Sequence, residues 1–218
     1  WRENLDSFID SNYDLSALMP KFIRKNQPIR FMGEYIIPNE EHFEHVYFNI
    51  FRTWLFQKYF QEYSVIYDIG CGSSYNLIEL CKKFPEKKIY GFDFVKSSVD
   101  IVNNLSKHHG YNTEGQLFNM IEPNFDIDLE ENSLVFTSGA IEQIASKFEK
   151  FTDFLLEKRP NLVVHVEPTY EVYEKDSLFD YLAAKFHNKR GYTKGYLPSL
   201  QELEKEGKIE ILKTKRLN

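Results

Sequence analysis

Two aspartates, each at the end of an apolar run, have the spacing expected of side chains that bind one ligand. Asp68 follows one run and precedes Gly70, Cys71 and Gly72, and Asp93 follows the next run along the chain. The carboxyl ends of neighbouring parallel strands meet at one edge of a sheet, where ligands bind. Glycines there permit a tight turn and a close approach of ligand to backbone. The pattern predicts a site for a nucleotide-like cofactor.

The elements that must position these residues alternate between strands and helices. Apolar, β-branched and aromatic runs predict strands, and helical spacing of apolar residues predicts the helices between them. This alternation predicts an α/β fold with a doubly wound, mostly parallel sheet, and a cofactor domain over 64–218. The predicted strands are 65–69, 88–93, 115–120, 133–138, 161–168 and 208–213, and the predicted helices are 75–84, 97–107, 142–156, 176–188 and 197–207.

Residues 1–63 are predicted to form a helical extension in front of this domain. A short helix is expected over 15–25, and 27–35 is expected to be a loop that could act as a lid over the substrate. A long amphipathic helix should follow a cap at Asn39 and cover the sheet or the mouth of the cofactor site. Its apolar positions recur at helical spacing: Phe43, Val46, Tyr47, Ile50, Trp54 and Leu55.

The glycine spacing separates two cofactor classes. A dinucleotide loop needs a third small residue at position 75, counted from Gly70, but this residue is Tyr75. The order D-x-G-x-G, starting at Asp68, resembles motif I of the class I methyltransferases that use S-adenosylmethionine (SAM). Ser74 stands where that family commonly has a third glycine. A structural turn that binds no ligand is the alternative for this motif.

The resemblance implies which residues would contact SAM. Asp93 would accept hydrogen bonds from the ribose hydroxyls, Phe94 would lie against the adenine, Asn119 would accept from the adenine amino group, and Met120 would pack on the purine. The cradle would consist of Asp68, Gly70, Cys71 and Gly72, and the methionine portion would lie beside Ser138, Gly139 and Ala140. The alternatives are that Asp93 caps the next helix and that Asn119 forms an Asx turn.

Candidate catalytic groups follow the later strands. Glu167, just before Pro168, is the first choice for a general base, and His187 is the second. His165 faces the same side but is expected to be a satisfied core residue. A helix C-terminus explains His187 equally, and interaction with a helix dipole is the alternative to an acceptor-pocket role for Glu142.

These residues predict a SAM-dependent methyltransferase that acts on a small molecule, with a sugar hydroxyl as the favoured acceptor. Three alternatives stay open. The acceptor could be a small amine, since an acidic rim would bind a cation. The chain could be a SAM-binding module without catalysis. It could also be a nicotinamide oxidoreductase, although Tyr75 disfavours a dinucleotide loop.

Composition excludes several other classes. The 218 residues carry a net charge of −6 and no long basic run, which argues against a nucleic-acid partner. Neither of the two cysteines suggests a disulfide framework or a metal site, and no stretch suits a membrane span. We expect a cytoplasmic protein, with a segment removed before Trp1. The seventh strand of the family has no candidate, so we expect that this edge is incomplete, that another chain supplies the strand, as in a homo-oligomer, or that the fold departs from the family.

Overall fold

The computed structural model describes residues 1–21, 26–174 and 176–217. The strands are β1 (Ile29–Phe31), β2 (Glu34–Ile36), β3 (Val65–Ile69), β4 (Lys88–Asp93), β5 (Thr113–Leu117), β6 (Ser133–Ser138) and β7 (Leu162–Val166). The helices are α1 (Arg2–Asp10), α2 (Phe43–Tyr59), α3 (Tyr75–Lys83), α4 (Lys96–His109), α5 (Glu149–Lys158), α6 (Leu178–Arg190) and α7 (Tyr196–Lys205). Short 3₁₀ turns span Leu15–Leu18, Ile141–Ile144 and Tyr170–Val172.

Five of the strands form one sheet in the order β5-β4-β3-β6-β7. All four neighbouring pairs are parallel, and in this register Asp68 of β3 lies beside Gly91 of β4 and Phe136 of β6. The strand order reverses at β3, so a ligand crevice is expected at the carboxyl ends of β3 and β6. The doubly wound sheet predicted from the sequence is confirmed, and it is parallel throughout.

Apolar residues cover both faces of this sheet, because successive side chains of a strand point to opposite faces. On one face Ile66, Leu134 and Phe136 pack with residues of α1, α2, α3 and α4. On the other, Tyr67 and Val135 pack with residues of α5 and α7. The N-terminal segment therefore belongs to the same core as the sheet.

Helix α2 covers the sheet, but of the predicted stripe only Leu55 is buried. It begins at Phe43 after His42, so the expected cap at Asn39 was wrong. The buried side chains are Arg52, Leu55 and Phe56, whereas Val46, Ile50 and Trp54 are exposed. Nearly every side of this helix carries aromatic or aliphatic residues, so periodicity alone could not select the buried face. The ring of Phe56 meets that of Phe136 edge-on, 5.7 Å between centroids.

Residues 27–35 are not an irregular loop, so that prediction was wrong. Strands β1 and β2 pair antiparallel as a hairpin. Met32 and Gly33, at its tip, both have positive φ (50° and 85°), as in a two-residue type I′ turn. Strands of three residues are too short to give a periodic signal. The prediction of a helix over 15–25 yields only the 3₁₀ turn at 15–18, and residues 22–25 lie outside the described residues.

Three other predictions differ from the structure. The strand predicted at 115–120 lies at 113–117, so Asn119 and Met120 follow it. The helix predicted over 142–156 is interrupted, because Ala145 has φ 53° and separates the 3₁₀ turn from α5. The sixth strand predicted at 208–213 does not form. Instead this backbone bonds to the end of α7, with Ile211 N donating to Glu204 Oε1 (2.7 Å).

Asp180 of α6 fastens two distant segments of the chain. Its buried carboxylate pairs with Arg30 of β1 (2.9 Å) and with Arg216, whose Nη1 donates to Oδ2 (2.7 Å). These hydrogen bonds and charges lower the pKa of Asp180, the bond from Arg216 most strongly. The hairpin and the C-terminal residues are thus both bound to α6 through the carboxylate of Asp180. Within the described residues no helix is long and apolar enough to cross a membrane.

Candidate functional site

The turn after β3 approaches the turn after β6 very closely. Gly70 has φ +79°, and a Cβ added to it would lie 2.3 Å from Cβ of Ala140 and 3.8 Å from Cε of Met120. The amide of Gly70 donates to the carbonyl of Phe92 at the end of β4 (2.7 Å). Only glycine fits this position. The predicted cofactor residues Gly70 and Met120 are therefore neighbours at one edge of the sheet.

Asp93 links two of the loops at this edge. Its Oδ2 accepts from the amide of Gly72, and its Oδ1 accepts from the amide of Val95, both at 2.9 Å. The side chain is buried, and burial raises its pKa although both hydrogen bonds oppose this. The N-cap of α4 is Val95, without a side-chain cap bond, so Asp93 is not the cap of this helix, and its bond to Gly72 holds the glycine turn. Both aspartates thus lie together behind this turn.

Asp68 is a buried carboxylate with an unpaired oxygen. Burial, followed by the charge of Asp93, raises its pKa to about 7, while Arg52 opposes this shift. Its Oδ2 has no hydrogen-bond partner among the described residues, and the same holds for Ser74 Oγ and Arg52 Nε. Buried polar atoms without partners are costly, so such a cluster is typical of a ligand site. A cofactor with cationic and anionic groups fits this donor and acceptor set.

Arg52 is a site residue that the sequence did not reveal. It extends from α2 to the start of α3, where its Nη1 donates to Asn76 Oδ1 (2.9 Å) and its guanidinium lies 4.4 Å from the ring centroid of Tyr75. The hydroxyl of Tyr75 in turn lies 3.0 Å from Nε2 of His45. An arginine within an apolar helix was the one available signal. Tyr75, which argued against a dinucleotide, thus helps to position this cation.

Trp1 is a second residue that sequence reasoning missed. Its indole lies against the glycine turn, so that a Cβ added at Gly72 would be 2.7 Å from Cζ2 of Trp1. No local pattern could have indicated this contact, since α1 reaches the turn only through tertiary packing.

The residues predicted to surround the adenine differ in exposure. Phe94 is 72% exposed beside Asp93, as a ring available for stacking would be. Asn119 is exposed, and its Oδ1 accepts from the amide of Ile121 (2.9 Å), as in the Asx-turn alternative. Cys71 is buried, and burial raises the pKa of its thiol, so it is a neutral packing residue of the turn.

The tip after β6 consists of small residues, of which Ser138 and Gly139 are half-buried and Ala140 is buried. Ser138 pairs with Val166 of β7, and Gly139 N donates to the carbonyl of the same residue (3.1 Å). Gly139 has φ +62°, and a Cβ there would meet Oε1 of Glu142 at 3.7 Å. The carboxyl group of Glu142 therefore lies over the glycine at this tip.

Glu167 is half-buried behind this tip. Its carboxylate accepts from the amides of Ala140 (3.1 Å) and Glu142 (3.3 Å). Burial raises its pKa, and the hydrogen bonds from Thr137 and from the turn oppose that shift. The structure thus gives the predicted base a set of backbone partners across the 3₁₀ turn.

The two histidines differ in exposure, since His165 is half-buried and His187 is buried. His165 lies between Thr137 Oγ1 and the hydroxyl of Tyr196, at 2.9 Å from each, and burial lowers its pKa to about 4. It is the satisfied core residue expected. His187, the second candidate base, is buried and donates from Nε2 to the carbonyl of Thr193 (2.7 Å). Its Nδ1 has no partner among the described residues.

The comparison with known families decides the class of this site. The model of the methyltransferase domain family matches residues 61–208, about two thirds of the chain. The chain belongs to this family. The predicted class, a SAM-dependent methyltransferase, is therefore confirmed, and SAM is the cofactor of this methyltransferase. No curated protein sequence matches the chain.

Solved structures share the fold of this methyltransferase. YcgJ from Bacillus subtilis is 11% identical, with a TM-score of 0.52, and the matched region covers 72% of this chain and 67% of the YcgJ chain. BH2331 from Bacillus halodurans C-125 is 16% identical with a TM-score of 0.51, covering 72% and 68%. Mycolic acid cyclopropane synthase CmaA1 is 16% identical with a TM-score of 0.50, covering 72% and 58%. The chain thus spans about two thirds or less of their lengths.

Proposed function

We propose that this methyltransferase transfers the methyl group of SAM to a small polar acceptor, with a hydroxyl group of a sugar-like molecule as the favoured target. The observation that carries the proposal is the set of three unpaired buried polar atoms around the glycine turn, on Asp68, Ser74 and Arg52. When bound, SAM supplies a methyl group carried on a positively charged sulfur.

Several residues would hold this cofactor. Asp68 suits the ammonium group of its amino-acid portion, and Arg52 suits the carboxylate, because each presents the opposite charge with an unpaired atom. Asp93 would accept from the ribose hydroxyls, Phe94 and Met120 would contact the purine, and Asn119 would bond to its edge. The small tip of Ser138 and Gly139 would leave room at the reacting centre, where positioning and exclusion of water favour transfer.

The acceptor side supports a small polar molecule. The chain carries a net charge of −6, and the carboxyl group of Glu142 lies over Gly139 at the tip after β6. A carboxylate can orient a hydroxyl by accepting its hydrogen bond. Methylation of a small amine is the second candidate, favoured by the two neighbouring glutamates Glu142 and Glu167, which would attract a cation.

Calorimetric titration with SAM tests the cofactor part of the proposal. We expect saturable binding by the wild-type protein and weaker binding by Asp93→Ala, by about 1–3 kcal/mol, through loss of charge-assisted hydrogen bonds. Asp100→Ala is the matched control, since Asp100 is a surface aspartate of α4 that pairs with Lys96. Unchanged affinity in Asp93→Ala would remove the ribose role, and no binding by the wild type would refute the proposal.

A screen over sugars, amines and phenols tests the acceptor. The product should gain the mass of one methyl group in place of one hydrogen, and sugars should give the highest rate. A preference for amines would replace the first candidate with the second. Binding of SAM without transfer to any of the three classes would instead favour a SAM-binding module without catalysis.

A further inference from the structure

Glu142 and Glu167, the two acids beside the tip after β6, differ in how their carboxyl groups are engaged. It is the second residue of the 3₁₀ turn after β6, and its Oε1 lies over Gly139. Within residues 1–21, 26–174 and 176–217, its carboxyl group forms no hydrogen bond or ion pair that would occupy it. Both oxygens of Glu167, by contrast, accept from backbone amides.

The backbone of Glu142 is held from two sides. Its amide donates to Glu167, and its carbonyl accepts from the amide of Thr193 (2.9 Å). The hydroxyl of Thr193 also donates to the carbonyl of Ile141. Glu167 and Thr193, from two other segments, therefore fix the turn from which this side chain leaves, and a group fixed in this way is preorganised to react.

The charges around Glu142 suit a proton acceptor. Burial and the neighbouring carboxylate of Glu167 raise its pKa to about 7, and Arg190 at the end of α6 opposes the shift. Other titratable groups near this turn are His187, which bonds to the carbonyl of Thr193, and Tyr196, whose hydroxyl bonds to His165. A base whose pKa lies near the working pH is the most effective one, because it is partly ionised and still holds a proton well.

We propose that Glu142 takes the proton of the acceptor hydroxyl and that Glu167 is a positioning residue that holds the turn of Glu142. This inference rests on the proposed function. As the acceptor oxygen forms its bond to the methyl carbon, the hydroxyl proton moves to a carboxylate oxygen of Glu142. The carbon–sulfur bond breaks and its electron pair remains on the sulfur, which becomes uncharged. Glu142 then releases the proton to solvent.

A titration of the protein without cofactor gives a readout independent of turnover. The glutamate carboxyl groups are labelled with ¹³C and followed by NMR, and the resonance that is absent from the spectrum of Glu142→Gln is assigned to Glu142. Its midpoint should lie near pH 7 in the wild type and about one pH unit lower or more in Glu167→Gln, because the neighbouring negative charge is gone. A wild-type midpoint in the ordinary range of glutamate would overturn the inference.

Kinetics with the acceptor found in the screen give the second readout. Glu142→Gln should lower kcat about 10²-fold or more at saturating substrates and remove the limb of the kcat profile near pH 7, with SAM affinity within twofold of wild type. Glu149→Gln, an exposed glutamate at the start of α5, is the matched control and should retain wild-type rates.

The outcomes separate this inference from the proposed function. If the wild type binds SAM and turns over, but Glu142→Gln is equally fast, then only the role of Glu142 is refuted. If the wild type fails to bind SAM, the proposed function itself is refuted. Glu167→Gln should lose activity together with the shifted titration of Glu142, and lost activity with an unshifted titration would refute its positioning role.

Discussion

The cofactor edge, formed by the turns after β3 and β4, differs from the acceptor edge, formed by the segments after β6 and β7, in how buried polar groups are paired. At the cofactor edge Asp68, Ser74 and Arg52 each keep an unpaired atom. At the acceptor edge Glu167 and His165 are fully engaged with neighbours.

Each edge has one exception: both oxygens of Asp93 accept from backbone amides at the cofactor edge, and the carboxyl group of Glu142 has no partner among the described residues at the acceptor edge. The unpaired atoms at the cofactor edge suit a charged ligand, whereas the bonds of Glu167 hold the turn at the acceptor edge.

The two edges meet at Gly70 and Ala140, and Gly70→Ala should break that contact. The added Cβ would lie 2.3 Å from Cβ of Ala140, at a φ of +79°. Overpacking and backbone strain together should cost about 2–5 kcal/mol of unfolding free energy, measured by urea denaturation, and should weaken SAM binding.

Gly110→Ala is the control for this substitution. Gly110 also has positive φ (+66°), but no atom lies within 4 Å of the added Cβ. It should cost only about 1–2 kcal/mol, from the backbone alone. Adding Ala140→Gly should recover part of the loss in Gly70→Ala. Equal losses in the two single variants would show that the loops do not touch.

Asp180→Asn tests a buried carboxylate that, unlike Asp68, has charged partners. Removing a buried charge from between Arg30 and Arg216 leaves two cations without their partner, which should cost about 2–4 kcal/mol at pH 7. Because the pKa of Asp180 is lowered in the folded state, its stabilising effect is present at neutral pH and is lost as pH falls through that lowered value. Urea midpoints measured across acid pH should therefore converge for variant and wild type.

Asp68→Asn tests a buried carboxylate with an unpaired oxygen, and its effect on the free energy of unfolding should have the opposite sign. Its pKa rises from the ordinary 3.8 to about 7 on folding, so the wild-type protein loses stability as pH increases between these values. The variant should be more stable than wild type by about 1–3 kcal/mol at pH 8 and similar at pH 4. It should nevertheless bind SAM more weakly. Lower stability than wild type at pH 8 would mean that Asp68 has a partner in solution.

Tryptophan fluorescence provides the mildest test. Trp1 contacts Gly72 at the cofactor edge, whereas Trp54 lies on α2 and is 43% exposed. SAM should therefore change the emission of the Trp54→Phe variant, in which Trp1 is the remaining fluorophore. The Trp1→Phe variant should respond weakly. The reverse pattern would exclude Trp1 from the surroundings of the cofactor.

The central strands could be predicted because they are buried on both faces. Strands β4 and β6 have the predicted bounds, and β3 has them as well, since continuous apolar runs are typical of interior parallel strands. The proposed cofactor residues Asp68, Gly70, Gly72 and Asp93 lie at or just after the ends of β3 and β4. The hairpin of β1 and β2 gave too short a pattern, and the buried face of α2 could not be chosen because nearly all its faces are apolar.

The remaining site features depend on contacts between residues far apart in sequence. Arg52 and Trp1 reach the glycine turn from helices that precede the sheet, and neither has a local motif. The partners of Glu167 lie in a turn that precedes it by more than twenty residues. In the sequence, a carboxylate at a strand end suggests a general base. Only the folded structure shows how many backbone amides already donate hydrogen bonds to it.

The packing of α1 and α2 on the sheet has a consequence for where this protein can be divided. The family match begins at residue 61, just after α2, yet Phe8, Phe56 and Phe60 share one core with Phe136 of β6. A fragment cut at that boundary would carry a bare aromatic face and would lose Arg52. We expect such a fragment to aggregate, so any transplant of this catalytic unit into another protein should take the two helices with it.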